Sequence, residues 1–162
     1  MGTLPKLGKQ WRLSFDVKSP ETIPSGWSNL IHAEAVTGDC CTIGQRIPAV
    51  WFNSDHGTQL TVDSAVNSNG QRNVRTLSIS KDIWSTVEIK QQRDNAKYFY
   101  SVTVDETEII SEENLYPLEF YNVTIFASDN YSKPSGASIR NLIYENLVDN
   151  RGRYRLTNMF II

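Results

Sequence analysis

Acidic side chains at three predicted turns are the first candidates for chemistry in this sequence. Asp39 and Asp55 lie in segments rich in Gly, Ser and Thr, and Asp129 directly follows a segment of alternating apolar residues. Calcium takes carboxylate oxygens as ligands, so convergence of Asp129 with Asp39 and Asp55 would create a calcium site. The plainer interpretation is that Asp is a good turn former and that the three carboxylates are unrelated.

Sugar recognition is a second chemistry that the residue types allow. It typically uses an aromatic platform together with amide, carboxylate and guanidinium hydrogen bonds. Trp27 and Tyr131 lie at predicted loops and form the candidate platform, while Arg46, Asp129 and Asn130 are the candidate polar contacts. The alternative for Arg46 is an ion pair with an acid, which would make it a structural bridge and not a ligand contact.

Metal and redox chemistry have little support in the Cys and His residues. The two cysteines, Cys40 and Cys41, are adjacent, and neighbours on a strand point to opposite faces. Free thiols are therefore the favoured interpretation. A strained vicinal disulfide and a bond to another part of a longer chain are the alternatives. With only His32 and His56 besides, a zinc site is not expected, and His32 on an apolar strand is expected to be buried and hydrogen-bonded rather than a base.

Charge and composition exclude several classes of partner. The 16 Lys and Arg nearly balance the 18 Asp and Glu, so neither nucleic acid nor an anionic membrane surface is an expected partner. No apolar run has the roughly 20 residues that span a bilayer. Two glycosylation sequons, at Asn122 and Asn130, favour an extracellular or secreted protein.

Alternation of apolar and polar residues predicts the elements that must position these side chains. In residues 11–18 every odd position is apolar and every even position polar, which is typical of a half-buried strand. Turn-forming clusters separate the segments, and no long helical stripe is present. Trp11, Trp51 and Trp84 lie inside strand patterns and are predicted to be core residues. The other predicted strands are 29–36, 47–53, 59–66, 73–80, 84–89, 98–104, 108–111, 120–128 and 138–146.

The pattern predicts one β-sandwich or barrel domain over residues 1–147. Residues 148–162 are expected to be a C-terminal extension. Its apolar end, Met159 to Ile162, suggests a last edge strand, a contact with another chain such as a second copy, or a sequence added to the natural protein.

Several segments resemble the concanavalin A-like lectin/glucanase superfamily, in particular its laminin-G-like domains. The resemblance implies an antiparallel two-sheet jelly roll with functional loops at the rim, and it implies calcium at the rim position of Asp129. Its segments are Gly26 to His32, Gly44 to Phe52, Ile83 to Ile89, Val123 to Tyr131 and Ile139 to Leu142.

The enzymes of this fold are a poorer match to the sequence. The Glu-x-Asp-x-x-Glu strand of the glucanases is absent from it. Alginate-lyase-like jelly rolls use His, Tyr, Arg and Gln, but their Lys-Ala-Gly strand is missing here. The residues of these four types that could take the corresponding roles here are His32, Gln91, Arg93, Tyr98 and Tyr100.

The sequence therefore predicts an extracellular recognition module, not an enzyme, that binds a glycan through its rim loops. A protein-interaction, adhesion or self-assembly domain of the laminin-G type is the first alternative. An alginate-lyase-like polysaccharide lyase is the second.

Overall fold

The computed structural model describes residues 2–147, which form two β-sheets joined by turns. Within this range the helical structure is a single 3-10 turn, Ser54–His56. The strands are β1 (Gly2–Leu7), β2 (Trp11–Lys18), β3 (Trp27–Glu34), β4 (Ala49–Asn53), β5 (Gln59–Val66), β6 (Asn69–Ser78), β7 (Ser85–Asp94), β8 (Lys97–Val104), β9 (Thr107–Glu113), β10 (Phe120–Phe126), β11 (Lys133–Pro134) and β12 (Ser138–Asn146).

The two sheets pack face to face as a jelly-roll sandwich. The larger sheet has the strand order β1-β10-β3-β4-β5-β6, with the short β11 pairing to β3 in parallel, and the smaller sheet has the order β12-β2-β7-β8-β9. All other strand pairs are antiparallel. The predicted all-β, antiparallel two-sheet fold class is confirmed.

Alternation along β2 builds the core between the sheets. Trp11, Leu13, Phe15 and Val17 are each at most 3% exposed, while the residues between them are partly exposed. Removing a large apolar side chain from water contributes about 1.5–3 kcal/mol. The face that β2 buries therefore makes a large contribution to the association of the sheets.

In the larger sheet the same alternation divides core residues from cleft residues. Val50, Val62 and Val74 are aligned across β4, β5 and β6 and are buried in the core. The adjacent row, which includes Asp63 and Asn73, points to the opposite face because successive side chains alternate. This outer face of the larger sheet is the floor of the site described below.

The predicted strands are found with few exceptions. The bounds 59–66 and 138–146 match β5 and β12, whereas the short strands β1 and β11 were not predicted. Trp11 is a core residue as predicted. Trp84 is half-buried, and it is covered on its outer side by Lys18 and Arg140 rather than enclosed in the core.

The proposed boundary at residue 147 coincides with the end of the described residues. The predicted C-terminal extension, 148–162, lies outside them. No helix among the described residues is long and apolar enough to cross a membrane.

Candidate functional site

A cleft of about 690 Å³ lies on the outer face of the larger sheet. It crosses strands β11, β3, β4, β5 and β6 in turn, and the loops after β3 and β10 form its walls. Polar and aromatic side chains line it together, as in sites that bind sugars. The lining residues are Ser25, Trp27, Asp39, Cys40, Arg46, Trp51, Asp63, Gln71, Asn73, Arg75, Tyr131, Ser132 and Lys133.

Asp63 is a buried carboxylate that organises the floor of this cleft. Its side chain is 3% exposed and forms an ion pair with Arg46. Asn73 donates to Oδ1 at 2.6 Å, and Gln71 donates to Oδ2 at 3.2 Å. A buried carboxylate needs several such donors, because burial without them is costly. Asp63 therefore fixes three cleft side chains at once, although the sequence prediction did not include it.

Arg46 joins the cleft floor to the loop that forms one wall. Its guanidinium carbon lies 4.4 Å from the centre of the Trp51 ring, and its Nε donates to the backbone oxygen of Asp39 at 2.6 Å. Arg46 is thus the structural bridge that the sequence allowed, and it also lines the cleft as a ligand contact would. Trp51, predicted to be a core residue, is instead buried beneath Arg46 on the outer face.

His32 and Asp129 form a buried pair under the cleft. Nδ1 of His32 lies 2.6 Å from Oδ2 of Asp129, and Nε2 lies 2.6 Å from the backbone oxygen of Gln45. Burial alone would raise the pKa of Asp129, but hydrogen bonds from His32 and from the Ser132 and Tyr131 backbone N–H groups lower it overall. Both ring nitrogens of His32 thus face oxygen atoms of the protein.

This arrangement makes His32 a structural group. It is 0% exposed, and both ring nitrogens are in contact with oxygen atoms of the protein. The expectation that His32 is buried and hydrogen-bonded agrees with the structure.

Tyr131 presents its hydroxyl group at the cleft from the loop after β10. The ring packs on His32 with 5.6 Å between the ring centres, and the side chain is 40% exposed. The hydroxyl donates to Oε2 of Glu34 at 3.3 Å and accepts from the N–H of Gly38 at 3.0 Å. Partial burial first, and then the negative charge of Glu34, raise the pKa of Tyr131. The phenol is therefore protonated at neutral pH and has a carboxylate partner for its proton.

Two cations of the cleft have no carboxylate partner among residues 2–147. Arg75 on β6 and Lys133 on β11 both line the cleft and take part in no ion pair within that range. Nζ of Lys133 lies 3.4 Å from the backbone oxygen of Ser25. The negative charges of Asp39 and Asp63, by contrast, are paired with Arg46. Asp39 and Asp63 share this one guanidinium, so the lining has three cations and two anions, and its net charge of +1 favours an anionic ligand.

Trp27, a predicted platform residue, forms an exposed wall at one end of the cleft. It is 48% exposed, and its ring meets the edge of His56 with 6.3 Å between the ring centres. The preceding Gly26 donates its N–H to the Ser54 hydroxyl at 2.9 Å, and the Ser54 N–H donates back to the Gly26 oxygen at 3.1 Å. These contacts fix the backbone beside the ring.

The three predicted calcium ligands are not brought together. Asp39 is paired with Arg46, Asp55 is exposed in the 3-10 turn, and both oxygens of Asp129 accept hydrogen bonds from protein groups. Residues 2–147 contain no group of three or more His, Cys, Asp or Glu side chains that could hold a metal ion. The donor set therefore does not fit calcium, and we derive no chemistry through a metal.

The adjacent cysteines differ from the favoured expectation. The structure joins Cys40 and Cys41 as a vicinal disulfide, so the prediction of free thiols is wrong and its first alternative is correct. Both residues are exposed, and Cys40 lines the cleft.

Both sequon asparagines are accessible. Asn130 lies in an exposed loop beside the cleft, as expected, and Asn122 is also exposed although it belongs to β10. Asn130 makes no contribution to the cleft lining, and its predicted role as a ligand contact has no support from the geometry.

The residues suggested for a lyase by sequence are not assembled around His32. Gln91, Arg93, Tyr98 and Tyr100 belong to β7 and β8 of the smaller sheet, and Tyr100 is buried in the core. The cleft contains the same residue types from other positions, in Gln71, Arg75 and Tyr131 together with His32 beneath. The alternate positions Gln71, Asn73 and Arg75 mark one polar face of β6 in the sequence, but this pattern does not distinguish a cleft from open solvent.

Comparisons with known proteins give a match of fold. No family model matches this chain, and no curated protein matches it. Among solved structures it is similar to the crystal structure of alginate lyase vAL-1 from Chlorella virus, with a TM-score of 0.51 and 10% sequence identity. The match covers 87% of this chain and 72% of that chain.

This match corrects the functional prediction. The predicted recognition module without catalysis, and the prediction that the chain is not an enzyme, are contradicted because the similar structure is that of a polysaccharide lyase. At 10% identity the likeness shows a shared jelly-roll fold alone. The activity must be argued from the cleft.

Proposed function

We propose that this chain is a polysaccharide lyase that cleaves an acidic polysaccharide by β-elimination in the cleft. The observation that carries the proposal is Tyr131, a residue that is 40% exposed in a cleft of net positive charge and whose hydroxyl donates to the buried Glu34 carboxylate. The shared fold with an alginate lyase supports the choice of a uronate polymer as substrate.

The chemistry requires a group that acidifies the substrate and a group that moves protons. In a uronate the C5 proton is next to the carboxyl group, so neutralising the carboxylate makes that proton easier to remove. Arg46 uses three of its five N–H donors on Asp39 and Asp63, which leaves two for a ligand, and Arg46 lines the cleft. We assign the reacting carboxylate to Arg46 and the adjacent amide of Asn73.

Tyr131 is the catalytic residue of the proposal. Its hydroxyl oxygen takes the C5 proton while its own proton passes to Glu34, and it then protonates the O4 oxygen as the C4–O bond breaks. Glu34 finally returns its proton to the Tyr131 phenolate, which restores both groups. The electron pair of the C5–H bond becomes the C4=C5 double bond, and the leaving sugar departs with a hydroxyl group. The 3.3 Å contact between Tyr131 and Glu34 is the proton path that this scheme uses.

Two further predictions belong to the same proposal. We retain extracellular localisation, which the exposure of Asn122 and Asn130 supports. The narrower assignment to the laminin-G-like branch of the concanavalin A-like superfamily stays a prediction from sequence, as does homo-oligomer formation.

The test is an elimination assay on a panel of polysaccharides. Purified chain is incubated with alginate, polygalacturonate and hyaluronan, and with neutral dextran as the negative control. The measured signal is the ultraviolet absorbance of the new double bond conjugated to the carboxylate. We expect absorbance to rise with at least one acidic polymer and not with dextran.

The matched variants are Tyr131→Phe and Tyr121→Phe. Tyr121 is also exposed and donates to a carboxylate, Glu119 at 3.2 Å, but it lies outside the cleft. Loss of the catalytic hydroxyl should lower the rate by about 10²–10⁴-fold, and Y121F should have the rate of the parent chain. Absence of elimination products from every acidic polymer, or equal rates for Y131F and Y121F, would overturn the proposal.

A further inference from the structure

Arg75 and Lys133 lie at opposite ends of the cleft. Lys133 belongs to β11, and Arg75 belongs to β6, with β3, β4 and β5 between them. Four interstrand spacings of about 4.8 Å separate the two backbones by roughly 19 Å. The two backbones are therefore further apart than the length of one sugar ring.

The position of Lys133 is fixed by its backbone. β11 pairs in parallel with β3 at Ser28, and the N–H of Ser135 donates to the oxygen of Asn29 at 3.0 Å. The same end of the cleft carries the exposed ring of Trp27. A Trp ring and an ammonium group that line the same cleft suit a carboxylated sugar, because the ring can stack on the sugar while the cation pairs with its carboxylate.

At the other end, Arg75 extends from a row of ordered side chains. Its strand neighbour Asn73 is held by Asp63, and Arg75 itself has no ion-pair partner within residues 2–147. A guanidinium group that remains free beside an ordered amide can receive a carboxylate without first breaking a protein contact.

We infer that Lys133 with Trp27, and Arg75, form two separate carboxylate subsites that flank the reacting sugar at Tyr131. This inference rests on the proposed function for the location of the reacting sugar. It adds the substrate class: a polymer with a carboxylate on successive residues, bound across the strands and cleaved internally. A polymer whose uronates are widely spaced would not occupy both ends together.

The test measures binding without turnover. Tyr131→Phe is titrated calorimetrically with oligomannuronates and oligogalacturonates from dimer to hexamer. Affinity should rise in steps with length, and adding Lys133→Gln or Arg75→Gln should remove roughly threefold to fivefold of affinity for the hexamer. The loss should be smaller for the dimer, since a dimer cannot reach both ends.

Matched controls exist for both cations. Nζ of Lys81 also contacts a backbone oxygen, that of Glu21 at 3.2 Å, but outside the cleft, and Arg93 is an exposed arginine of the smaller sheet. Lys81→Gln and Arg93→Gln should bind every oligomer as Y131F alone does. Equal losses at all lengths, or no loss with either cleft variant, would overturn the two-subsite inference.

The two proposals fail in different ways. Length-dependent binding that is sensitive to Lys133 and Arg75, combined with no elimination by the parent chain, would sustain the subsites and refute the lyase. Elimination that is lost in Y131F, with no effect of replacing Lys133 or Arg75, would refute the two subsites and support the lyase proposal.

Discussion

Nδ1 of His32 lies 2.6 Å from Oδ2 of Asp129, although the two residues are 97 positions apart in the sequence. Both side chains are at most 1% exposed. The pair ties the middle of β3 to the loop that presents Tyr131, whose ring packs on His32. The orientation of the Tyr131 side chain in the cleft therefore depends on a buried contact beneath it.

Replacing Asp129 by Asn should destabilise the fold in a pH-dependent way. Hydrogen bonding lowers the pKa of this carboxyl in the folded chain, so its contribution is present above the ordinary value of 3.8 and is lost as the pH falls through the lower folded-state pKa. We expect a loss of about 3 kcal/mol near neutral pH, which shrinks in acid. Urea unfolding of both proteins at neutral and acid pH measures the difference.

The exposed Asp55 supplies the control for this experiment. Asp55→Asn should change the free energy of unfolding by less than about 0.5 kcal/mol. A D129N variant that is as stable as the parent chain at neutral pH would contradict the role of the buried pair.

Replacing Arg46 by Lys should destabilise the cleft floor. Lys lacks the planar group that bonds Asp39 and Asp63 together and stacks on Trp51, and it leaves the buried Asp63 poorly paired. We expect a loss of about 2 kcal/mol in denaturant unfolding. Arg72→Lys is the matched control, because Arg72 pairs with Glu112 near the surface and its replacement should cost less than about 1 kcal/mol. Similar losses of unfolding free energy for both variants would contradict a larger contribution from the buried ion pair of Arg46 and Asp63.

Replacing Glu34 by Gln should lower the pKa of Tyr131. Partial burial is the largest cause of its raised value, and the negative charge of Glu34 is the next. Because ionised tyrosine is an anion, removal of a neighbouring anion makes its ionisation easier. Tyrosinate absorbance measured against pH, with the Y131F titration subtracted, isolates this one phenol. An unchanged or raised pKa in E34Q would contradict the contact between the two side chains.

Replacing Gly70 by Ala should displace the loop that forms the wall of the cleft. A Cβ atom there would collide with the backbone oxygen of Cys41 and would lie 2.8 Å from the backbone nitrogen of Ile43. Backbone atoms cannot rotate away as a side chain can, so we expect a loss of about 1–3 kcal/mol together with weaker oligosaccharide binding. Thermal unfolding and calorimetry measure the two effects. Gly8→Ala is the control, since its Cβ would meet only the movable side chain of Asn146.

Elements with strict alternation were predictable from sequence. The period of two in residues 11–18 places β2 correctly, and turn clusters bound β5 and β12 at their true ends. The strand β1 was missed because Leu4 and Leu7 break the alternation and Pro5 lies between them. A proline is tolerated there since β1 is an edge strand, which is a property of the sheet and not of the segment.

Individual cleft residues were predictable only where an aromatic or charged residue lies near a predicted turn. Trp27, Arg46 and Tyr131 were identified from aromatic or charged character near a turn, and all three line the cleft. Asp63 and Asn73 were not, because a polar residue inside an alternating strand has the same pattern whether it faces water or a site.

The sequence by itself determined the all-β class, most of the strands and which side chains point away from the core, because these depend on local periodicity. Tertiary structure decided the site. It brought β3, β4, β5 and β6 side by side, placed the loop with Tyr131 over His32, and paired Arg46 with Asp63 rather than leaving it free. These contacts join residues far apart in the chain, and their existence depends on strand order and on the burial of charge, which no local pattern contains.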